Sequence, residues 1–162
     1  MGNMDLKLKL IIGLGNPDKK YANSYHNVGF LFVDYLDKGI KSEVYMNESG
    51  KFVAKELKKA GAKPEELLLV HDDSDIGLGK YKLSFGRGAA GHHGVESAQA
   101  ALKTKNFWRL RIGIRPIGPI SPIGIIKPRK KAGEFVLKKI SAEDKKILER
   151  VFEEVANGLK RD

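Results

Sequence analysis

The sequence predicts an α/β fold: a single domain with a mixed, mostly parallel sheet flanked by helices. Strand-like apolar segments alternate along the chain with segments of helical periodicity, which is the pattern of α/β proteins. Glycine-rich or acidic clusters directly follow these strands, where such folds carry their sites. With 162 residues, 41% of them hydrophobic, the chain suffices for one well-buried core and is too short for two ordinary domains, so we expect residues 1–162 to form one domain.

In the first half of the chain, the pattern predicts strand, helix, helix and strand. Residues 7–14 alternate and then turn wholly apolar before glycines and a proline end the run, as in a strand entering a buried sheet. Helices are predicted at residues 30–36 and 53–60, where apolar side chains recur on one helical face and a glycine stands beyond each end. Residues 65–71 (EELLLVH) predict a second buried strand, which leads into the acidic residues 72–75.

In the second half, residues 80–85 (KYKLSF) alternate cleanly and predict a third strand. A glycine-rich loop, residues 86–94, then opens onto a helix predicted from residue 95 to about residue 103, and residues 110–114 predict one more strand. Residues 116–133 are rich in proline, glycine and basic side chains, and they predict an exposed loop rather than a domain boundary.

A final helix is predicted near the C-terminus. Ser141 and Asp144 resemble a capping box at its start. Apolar residues at helical spacing then form its buried stripe; they are Ile147, Leu148, Val151, Phe152 and Val155. Strands and helices therefore alternate to the end of the chain, and no internal repeat is visible.

Composition excludes several classes of chemistry. The chain has no cysteine, so it has no disulfide, no thiolate metal site and no cysteine nucleophile. No apolar run approaches the length of a membrane span, and the first residues lack the layout of a secretory signal. We therefore expect a soluble, cytoplasmic protein without a membrane partner.

The charge balance favours a polyanionic partner. Lysine and arginine number 30 against 20 acidic residues, a formal net charge of +10, and such an excess favours nucleic acid through counterion release. The alternative interpretation is that many of these lysines are solvated helix faces. Lys80, Lys82, Arg109 and Arg111 alternate on strand-like segments, so each pair either forms part of a phosphate clamp or belongs to an ordinary solvated strand face.

Common catalytic and nucleotide motifs are weak or absent. Gly13 and Gly15 follow a strand, but Asp18 replaces the third glycine of a dinucleotide fingerprint and Pro17 stands where its helix would open. Neither a phosphate-loop motif nor a serine elbow occurs. A metal site is a further hypothesis, but its spacing fits no standard motif; the candidate ligands are His71, Asp72, Asp73, Asp75, His92 and His93.

Two residues suggest a different chemistry. If Asp72, at a strand end, meets His26, it fixes the imidazole tautomer and stabilises its protonated form, which makes His26 a useful general base. Because cysteine and a serine elbow are missing, the attacking group would be water. The glycine-rich loop at residues 86–94 is either a flexible connection or a backbone nest for an anion, and Arg87 favours the anion.

Several dispersed blocks, in this order, resemble bacterial-type peptidyl-tRNA hydrolase. The resemblance covers most of the chain, and the blocks are GLGNPDKKYANSYHNVG, VYMNESGKFV, VHDDSDIGLGKYKL, GAAGHHGVES, FWRLRIGI and EFVLKKIS. It implies a monomeric α/β enzyme that cleaves the ester between a peptide and the terminal ribose of tRNA, without metal or organic cofactor. The implied partner is peptidyl-tRNA, bound through its acceptor stem and terminal adenosine.

The resemblance also assigns site residues. It makes His26 the base that activates water, Asp72 its stabilising partner and Asn16 a discriminator of peptidyl from aminoacyl substrates. The matching phosphate-binding residues are Lys82 and Arg111. The substrate-lining positions are Tyr21, Tyr45, Met46, Asn47 and His93, with Asn47 a plausible donor to the peptide or to the developing oxyanion.

Three departures from the family keep alternatives open. His93 stands where the family has asparagine, the connection between Asn27 and Met46 lacks two strands with their turn, and the loop at residues 116–133 is longer and more basic. We therefore expect a reduced sheet edge relative to the family. Besides the enzyme, two alternatives remain: a catalytically impaired RNA-binding paralogue of the same fold, and a metal-dependent phosphoesterase using the acidic residues 72–75.

Overall fold

A computed structural model describes residues 6–116, 120–121, 124–125 and 135–159, and five strands of this part of the chain form one sheet in the order β2-β1-β3-β5-β4. The strands are β1 (Leu10–Gly13), β2 (Ile40–Lys41), β3 (Leu67–Gly77), β4 (Tyr81–Phe85) and β5 (Trp108–Arg115). The helices are α1 (Val28–Leu36), α2 (Ser49–Ala60), α3 (His93–Leu102) and α4 (Ala142–Leu159). The α/β fold class is therefore confirmed.

The sheet is mixed and mostly parallel. Strands β1, β2, β3 and β5 run parallel to one another, and β4 pairs antiparallel with β5 at one edge. The other edge is β2, which has only two residues and pairs with β1 through Ile40 and Lys41. A short edge strand offers few unpaired backbone groups to other chains. This edge corresponds to the shortened connection between Asn27 and Met46.

The two sheet faces pack against different helices, because neighbouring strand residues point to opposite faces. On the first face, Leu68 and Val70 of β3 pack in one apolar cluster with residues of α1 and α4. On the second face, Leu67 and Leu69 belong to a separate cluster with residues of α2 and α3. The continuous apolar run LLLV of β3 is thus explained by burial on both faces.

Close approach of α1 to the sheet requires glycine. A Cβ on Gly13 would lie 2.4 Å from the carbonyl oxygen of Gly29, and a Cβ on Gly29 would lie 2.4 Å from the carbonyl oxygen of Val70. Any side chain at either position would push the start of α1 away from β1 and β3. The glycines therefore bring the residues just before α1 close to the strand ends.

Several element boundaries differ from the predictions. Strand β3 does not end before the acidic residues 72–75 but continues to Gly77, with a register irregularity between Asp73 and Gly77 opposite β5. The prediction ended the strand at the first polar residues; pairing with β5 carries it further. Helix α1 ends at Leu36, as predicted, but the left-handed residue that follows it is Asp37 (φ 52°) and not Gly39.

The C-terminal part of the chain follows its prediction where it is described. The backbone N–H of Asp144 donates to Ser141 Oγ at 3.2 Å, so this hydroxyl caps α4. Two-residue strands β6 (Ile120–Ser121) and β7 (Gly124–Ile125) pair antiparallel within the predicted loop, and the rest of residues 117–134 lies outside the described residues. No helix in the described part of the chain has the length and apolarity to cross a membrane.

Candidate active site

The candidate site lies at the carboxyl ends of β1 and β3. The chain leaves β1 towards α1 on the first face, whereas the helix that precedes β5, α3, packs on the second face. In the sheet order, β2, which follows β1 in the chain, lies on one side of the β1–β3 pair, and β4 and β5, which follow β3, lie on the other. Open α/β sheets bind ligands at such a switch point. His26 lies two residues before α1, and His92 directly precedes α3.

Asp72 receives a hydrogen bond from a histidine on each side of the sheet. Its Oδ2 lies 2.9 Å from Nδ1 of His26, and its Oδ1 lies 3.0 Å from Nε2 of His92. The carboxylate is buried, with 3% of its surface exposed, while the two imidazoles retain some access to solvent. The predicted contact of His26 with Asp72 is therefore present, and His92 adds a second one.

The hydrogen bonds fix the tautomer of His92. The backbone N–H of Val95 donates to His92 Nδ1 at 3.3 Å, so this nitrogen holds a lone pair and Nε2 carries the hydrogen that it donates to Asp72. For His26, donation from Nδ1 to Asp72 leaves Nε2 as the basic nitrogen.

The local charges shift both pKa values towards an ion pair. Burial alone would lower the pKa of His26, but the hydrogen bond and negative charge of Asp72 outweigh it and raise the pKa above 6.5. Burial alone would raise the pKa of Asp72, yet the hydrogen bonds from His26 and His92 hold it well below its usual range. Asp72 is therefore a carboxylate throughout the pH range in which His26 titrates.

A C-terminal segment holds the backbone of His26 in place. The N–H of His26 donates to the carbonyl of Val136 at 2.7 Å, and the N–H of Tyr25 donates to the carbonyl of Lys138. The Tyr25 hydroxyl donates to Asp144 of α4. Contacts with residues far away in the sequence thus fix His26, whose local sequence carries no strong structural preference.

Asn16 is held by a neighbour that the sequence analysis did not assign to the site. The side chain of Asn27, which is buried, accepts from the Asn16 N–H at 2.7 Å and donates to the Asn16 carbonyl at 2.9 Å. The Asn16 amide oxygen accepts from the N–H of Asp18 at 3.0 Å, which leaves the amide nitrogen of Asn16 for other contacts. The pair of bonds from Asn27 fixes the turn after β1.

A cleft of about 320 Å³ opens beside the His26–Asp72 pair. Of the predicted substrate-lining residues, Met46 and His93 line it, whereas Tyr21, Tyr45 and Asn47 are not among its lining residues. The His93 side chain is 83% exposed. The full lining comprises His26, Met46, Asp72, Asp73, Ser74, Asp75, Ala89, Ala90, Gly91, His92, His93 and Val136.

Helix α3 fixes the segment that contains Met46 and Asn47. The Ser97 hydroxyl donates to the Asn47 carbonyl at 3.0 Å and accepts from the Gly50 N–H at 2.8 Å. A Cβ on Gly50 would lie 2.0 Å from the Ser97 carbonyl oxygen, so glycine permits this close crossing of α2 over α3. Tyr45 donates its hydroxyl hydrogen to Asp18 at 3.2 Å, which links the segment to the turn after β1.

The predicted phosphate-binding residues lie on the two strands at the β4 edge. Lys82 and Arg111 are register partners, Lys82 is exposed, and both line a depression of about 590 Å³ separate from the cleft. Arg111 Nε donates to Asp73 at 2.8 Å and its Nη1 donates to Ser84 at 3.2 Å. The clamp hypothesis is wrong for Arg109, which is buried and directed at His71 and the glycine-rich loop.

Of the six predicted metal ligands, Asp72 and His92 belong to a possible metal-binding group in the described part of the chain, and His26, which was not among them, completes it. Ligand atoms of His26, Asp72 and His92 lie within 4.8 Å of one another, a spacing that suits a metal ion. A metal on His92 Nε2 would require its hydrogen to move to Nδ1, where the Val95 N–H already points. A metal would also break the hydrogen bond of His26 to Asp72. The three residues therefore fit a network that holds protons better than one that holds a metal.

Comparisons with known proteins show the family of this chain. A family model described as peptidyl-tRNA hydrolase matches residues 10–43 and 38–161. The chain belongs to the peptidyl-tRNA hydrolase family. A peptidyl-tRNA hydrolase of Mycobacterium ulcerans is 35% identical over 177 residues (92% of this chain and 87% of the relative), and one of Aquifex aeolicus is 32% identical over 182 residues (96% and 90%).

Solved structures of the family share the fold. The crystal structure of peptidyl-tRNA hydrolase from Acinetobacter baumannii aligns with a TM-score of 0.79 at 28% identity, covering 96% of this chain and 88% of that one. The two matches to the peptidyl-tRNA hydrolase family model meet within residues 38–43, beside the short strand β2. This is the place where the sequence predicts a shortened connection.

Proposed function

We propose that this chain hydrolyses the ester bond between the peptide and the terminal ribose of peptidyl-tRNA, with water activated by His26 and no cofactor. The observation that carries the mechanism is the 2.9 Å contact between His26 Nδ1 and the buried Asp72 carboxylate, in a cleft of a peptidyl-tRNA hydrolase fold. An ester that is cleaved by water needs a base and hydrogen-bond donors to the oxyanion.

The reaction needs two proton transfers, one from water to His26 and one from His26 to the leaving ribose oxygen. His26 Nε2 removes a proton from water, the resulting hydroxide attacks the ester carbonyl carbon, and Asp72 stabilises the imidazolium that forms. The tetrahedral intermediate then expels the ribose oxygen, which takes the proton from His26. The products are a peptide carboxylic acid, which ionises, and tRNA with a free terminal hydroxyl. Asn47 supplies a donor to the oxyanion, and Asn16 discriminates peptidyl from aminoacyl substrates.

The tRNA is bound along the second face of the sheet. Lys82 and Nη2 of Arg111 hold phosphate groups of the acceptor stem; among the described residues, Asp73 and Ser84 accept hydrogen bonds from the other two nitrogens of Arg111. Tyr21, Tyr45, Met46 and His93 contact the peptide and the terminal adenosine. The chain acts as a cytoplasmic monomer, residues 1–162 being one functional unit.

The test uses N-acetyl-aminoacyl-tRNA and its unblocked counterpart, each with and without EDTA. We expect cleavage of the blocked substrate alone, at a rate that EDTA does not change. In the His26→Ala variant, kcat should fall by about 10²–10⁴ because the general base is lost. Circular dichroism checks that the variant is folded. Tight binding of tRNA without turnover by the wild-type chain would instead indicate the impaired paralogue, and loss of activity with EDTA would indicate metal chemistry.

A further inference from the structure

We propose that Arg109 is a positioning residue that fixes both Asp72 and His92 for hydrolysis, acting through His71 and the glycine-rich loop. This inference rests on the proposed function. The residue lies on β5, one strand away from Asp72, and its side chain is 3% exposed. Arg109 is therefore buried inside the molecule, whereas Arg111, two residues later on the same strand, is partly exposed.

The environment of Arg109 is unusual for a buried cation, because its hydrogen-bond acceptors are neutral. The guanidinium donates to the carbonyl of Gly88 at 2.7 Å, to that of Arg87 at 3.4 Å and to His71 Nε2 at 3.2 Å. Burial, and then repulsion from Arg111, lower the pKa of Arg109 to about 10, so it remains charged at neutral pH. A buried charge is costly unless its hydrogen bonds are satisfied, so these acceptors must stay in place.

The first branch of this network leads to Asp72. Because His71 Nε2 accepts from Arg109, Nδ1 carries the ring hydrogen and donates to the backbone carbonyl of Asp72 at 2.8 Å. Burial, and with it the neighbouring positive charge of Arg109, hold the pKa of His71 well below 6.5, so it stays neutral. A buried, neutral histidine with one defined tautomer thus connects Arg109 to the peptide group of Asp72.

The second branch leads to His92. The carbonyls of Arg87 and Gly88 belong to the exposed loop between β4 and α3, which includes the left-handed residues Gly86, Ala90 and Gly91. The two hydrogen bonds from Arg109 hold this loop against the sheet, and Gln99 Nε2 donates a further hydrogen bond to the Arg87 carbonyl at 2.8 Å. The loop ends at His92, whose ring packs against that of His71 with centroids 4.6 Å apart.

Both branches converge on the Asp72 carboxylate. If the loop loosens, His92 no longer donates to Asp72 Oδ1, and the negative charge of Asp72 then acts on His26 alone. The pKa of His26 should rise further as a result, because the competing donor is lost. This change affects proton transfer in the reaction and leaves the phosphate-binding residues on β4 and β5 untouched.

The experiment compares Arg109→Lys with the wild-type chain. Lysine keeps the positive charge but cannot bond to two carbonyls and an imidazole together. We expect kcat on N-acetyl-aminoacyl-tRNA to fall about tenfold or more, with KM within about twofold. The NMR titration of His26, one of four histidines, should move to higher pH. The titration needs no substrate, so it tests the inference even if the chain lacks hydrolase activity.

Two further variants separate positioning from simple stability. Phe107→Leu removes packing volume next to Arg109 on the same face, and it should lower the melting temperature without moving the titration of His26. His92→Asn should raise the pKa of His26 as Arg109→Lys does. In the double variant, the loss of kcat should be smaller than the losses of the two single variants combined. If Arg109→Lys is poorly folded, His71→Phe, which deletes both ring hydrogen bonds, should show the same pattern.

The inference is overturned by either of two results. One is a folded Arg109→Lys variant with wild-type kcat and an unchanged titration of His26. The other is full additivity between Arg109→Lys and His92→Asn, because independent effects would mean that Arg109 does not act through His92.

Discussion

The proposed catalytic centre around Asp72 and the proposed phosphate-binding surface around Lys82 differ in how their charged side chains are buried and paired. At the centre, Asp72 is buried, and His26 and His92 each donate to one of its two oxygens. On the phosphate-binding surface, Lys82 is exposed and Arg111 is only partly occupied by Asp73 and Ser84. Both regions use strands that lie side by side, β3 at the centre and β5 at the surface.

The difference is the one that the two proposed roles require. Proton transfer depends on one pKa and one tautomer, which burial and short hydrogen bonds can fix. Binding of a polyanion needs only positive charge within reach of phosphates, and exposed lysines supply it at little cost in folding stability. Substitutions at the centre should therefore change the chemical step, and substitutions on the surface should change affinity and its dependence on salt.

The largest effect after loss of the base itself is expected for Asp72→Asn. Asparagine removes the negative charge that raises the pKa of His26, while burial, which lowers that pKa, remains. Because His26 must be neutral to act as a base, the acid limb of the pH–kcat profile should move to lower pH. The maximal kcat should still fall by about 10²–10⁴, since the imidazolium is no longer stabilised. An acid limb that stays in place or moves to higher pH would contradict the pairing.

A smaller effect is expected for Lys82→Ala. KM should rise severalfold with little change in kcat, and the slope of log KM against log salt should fall by about one unit because one phosphate contact is lost. Lys145→Ala, an exposed lysine of α4 on the first face, serves as the control and should leave both quantities unchanged. Equal effects of the two substitutions would mean that only net charge matters.

The smallest effect is expected for His93→Asn, which introduces the family residue at the rim of the cleft. The side chain is 83% exposed, and its contact with Glu96 is long, at 3.9 Å, so little folding stability depends on it. Asparagine offers a donor and an acceptor together, and we expect KM to fall by less than about fivefold, the worth of one exposed hydrogen bond. Steady-state kinetics measure this, and a change in kcat beyond about tenfold would place His93 in the chemical step.

The sequence was sufficient for the fold class, because apolar strands and helical periodicity alternate along the chain. It placed Asp72 directly after the apolar run of β3 and His26 shortly after the glycines that follow β1, but it left open whether the two side chains meet, which the structure shows. It did not indicate the roles of His92 and Arg109, since each was weighed only by its type: His92 as a possible metal ligand, Arg109 as a surface cation. The alternation of side chains along a strand correctly placed Arg109 and Arg111 on the same face of the sheet. It could not tell that the guanidinium of Arg109 donates to carbonyls of the loop at residues 86–91, whereas that of Arg111 donates to Asp73 and Ser84.

Strand lengths were predicted less well for a related reason. Tertiary pairing extends β3 to Gly77 past the polar residues at which the pattern ended it. Pairing with β1 likewise creates β2 from Ile40 and Lys41, two residues with no periodic signal of their own. Asn27 is a similar case, because its side chain acts on the backbone of a residue eleven positions earlier.

The Ser97 hydroxyl, which bonds to both Asn47 and Gly50, anchors the segment that contains Met46 and Asn47 to α3. This anchor lies after the shortened connection in the sequence, so the position of Met46 beside the cleft does not rest on that connection alone. We therefore expect a change of length between α1 and Tyr45 to displace Met46 less than loss of the Ser97 hydroxyl does.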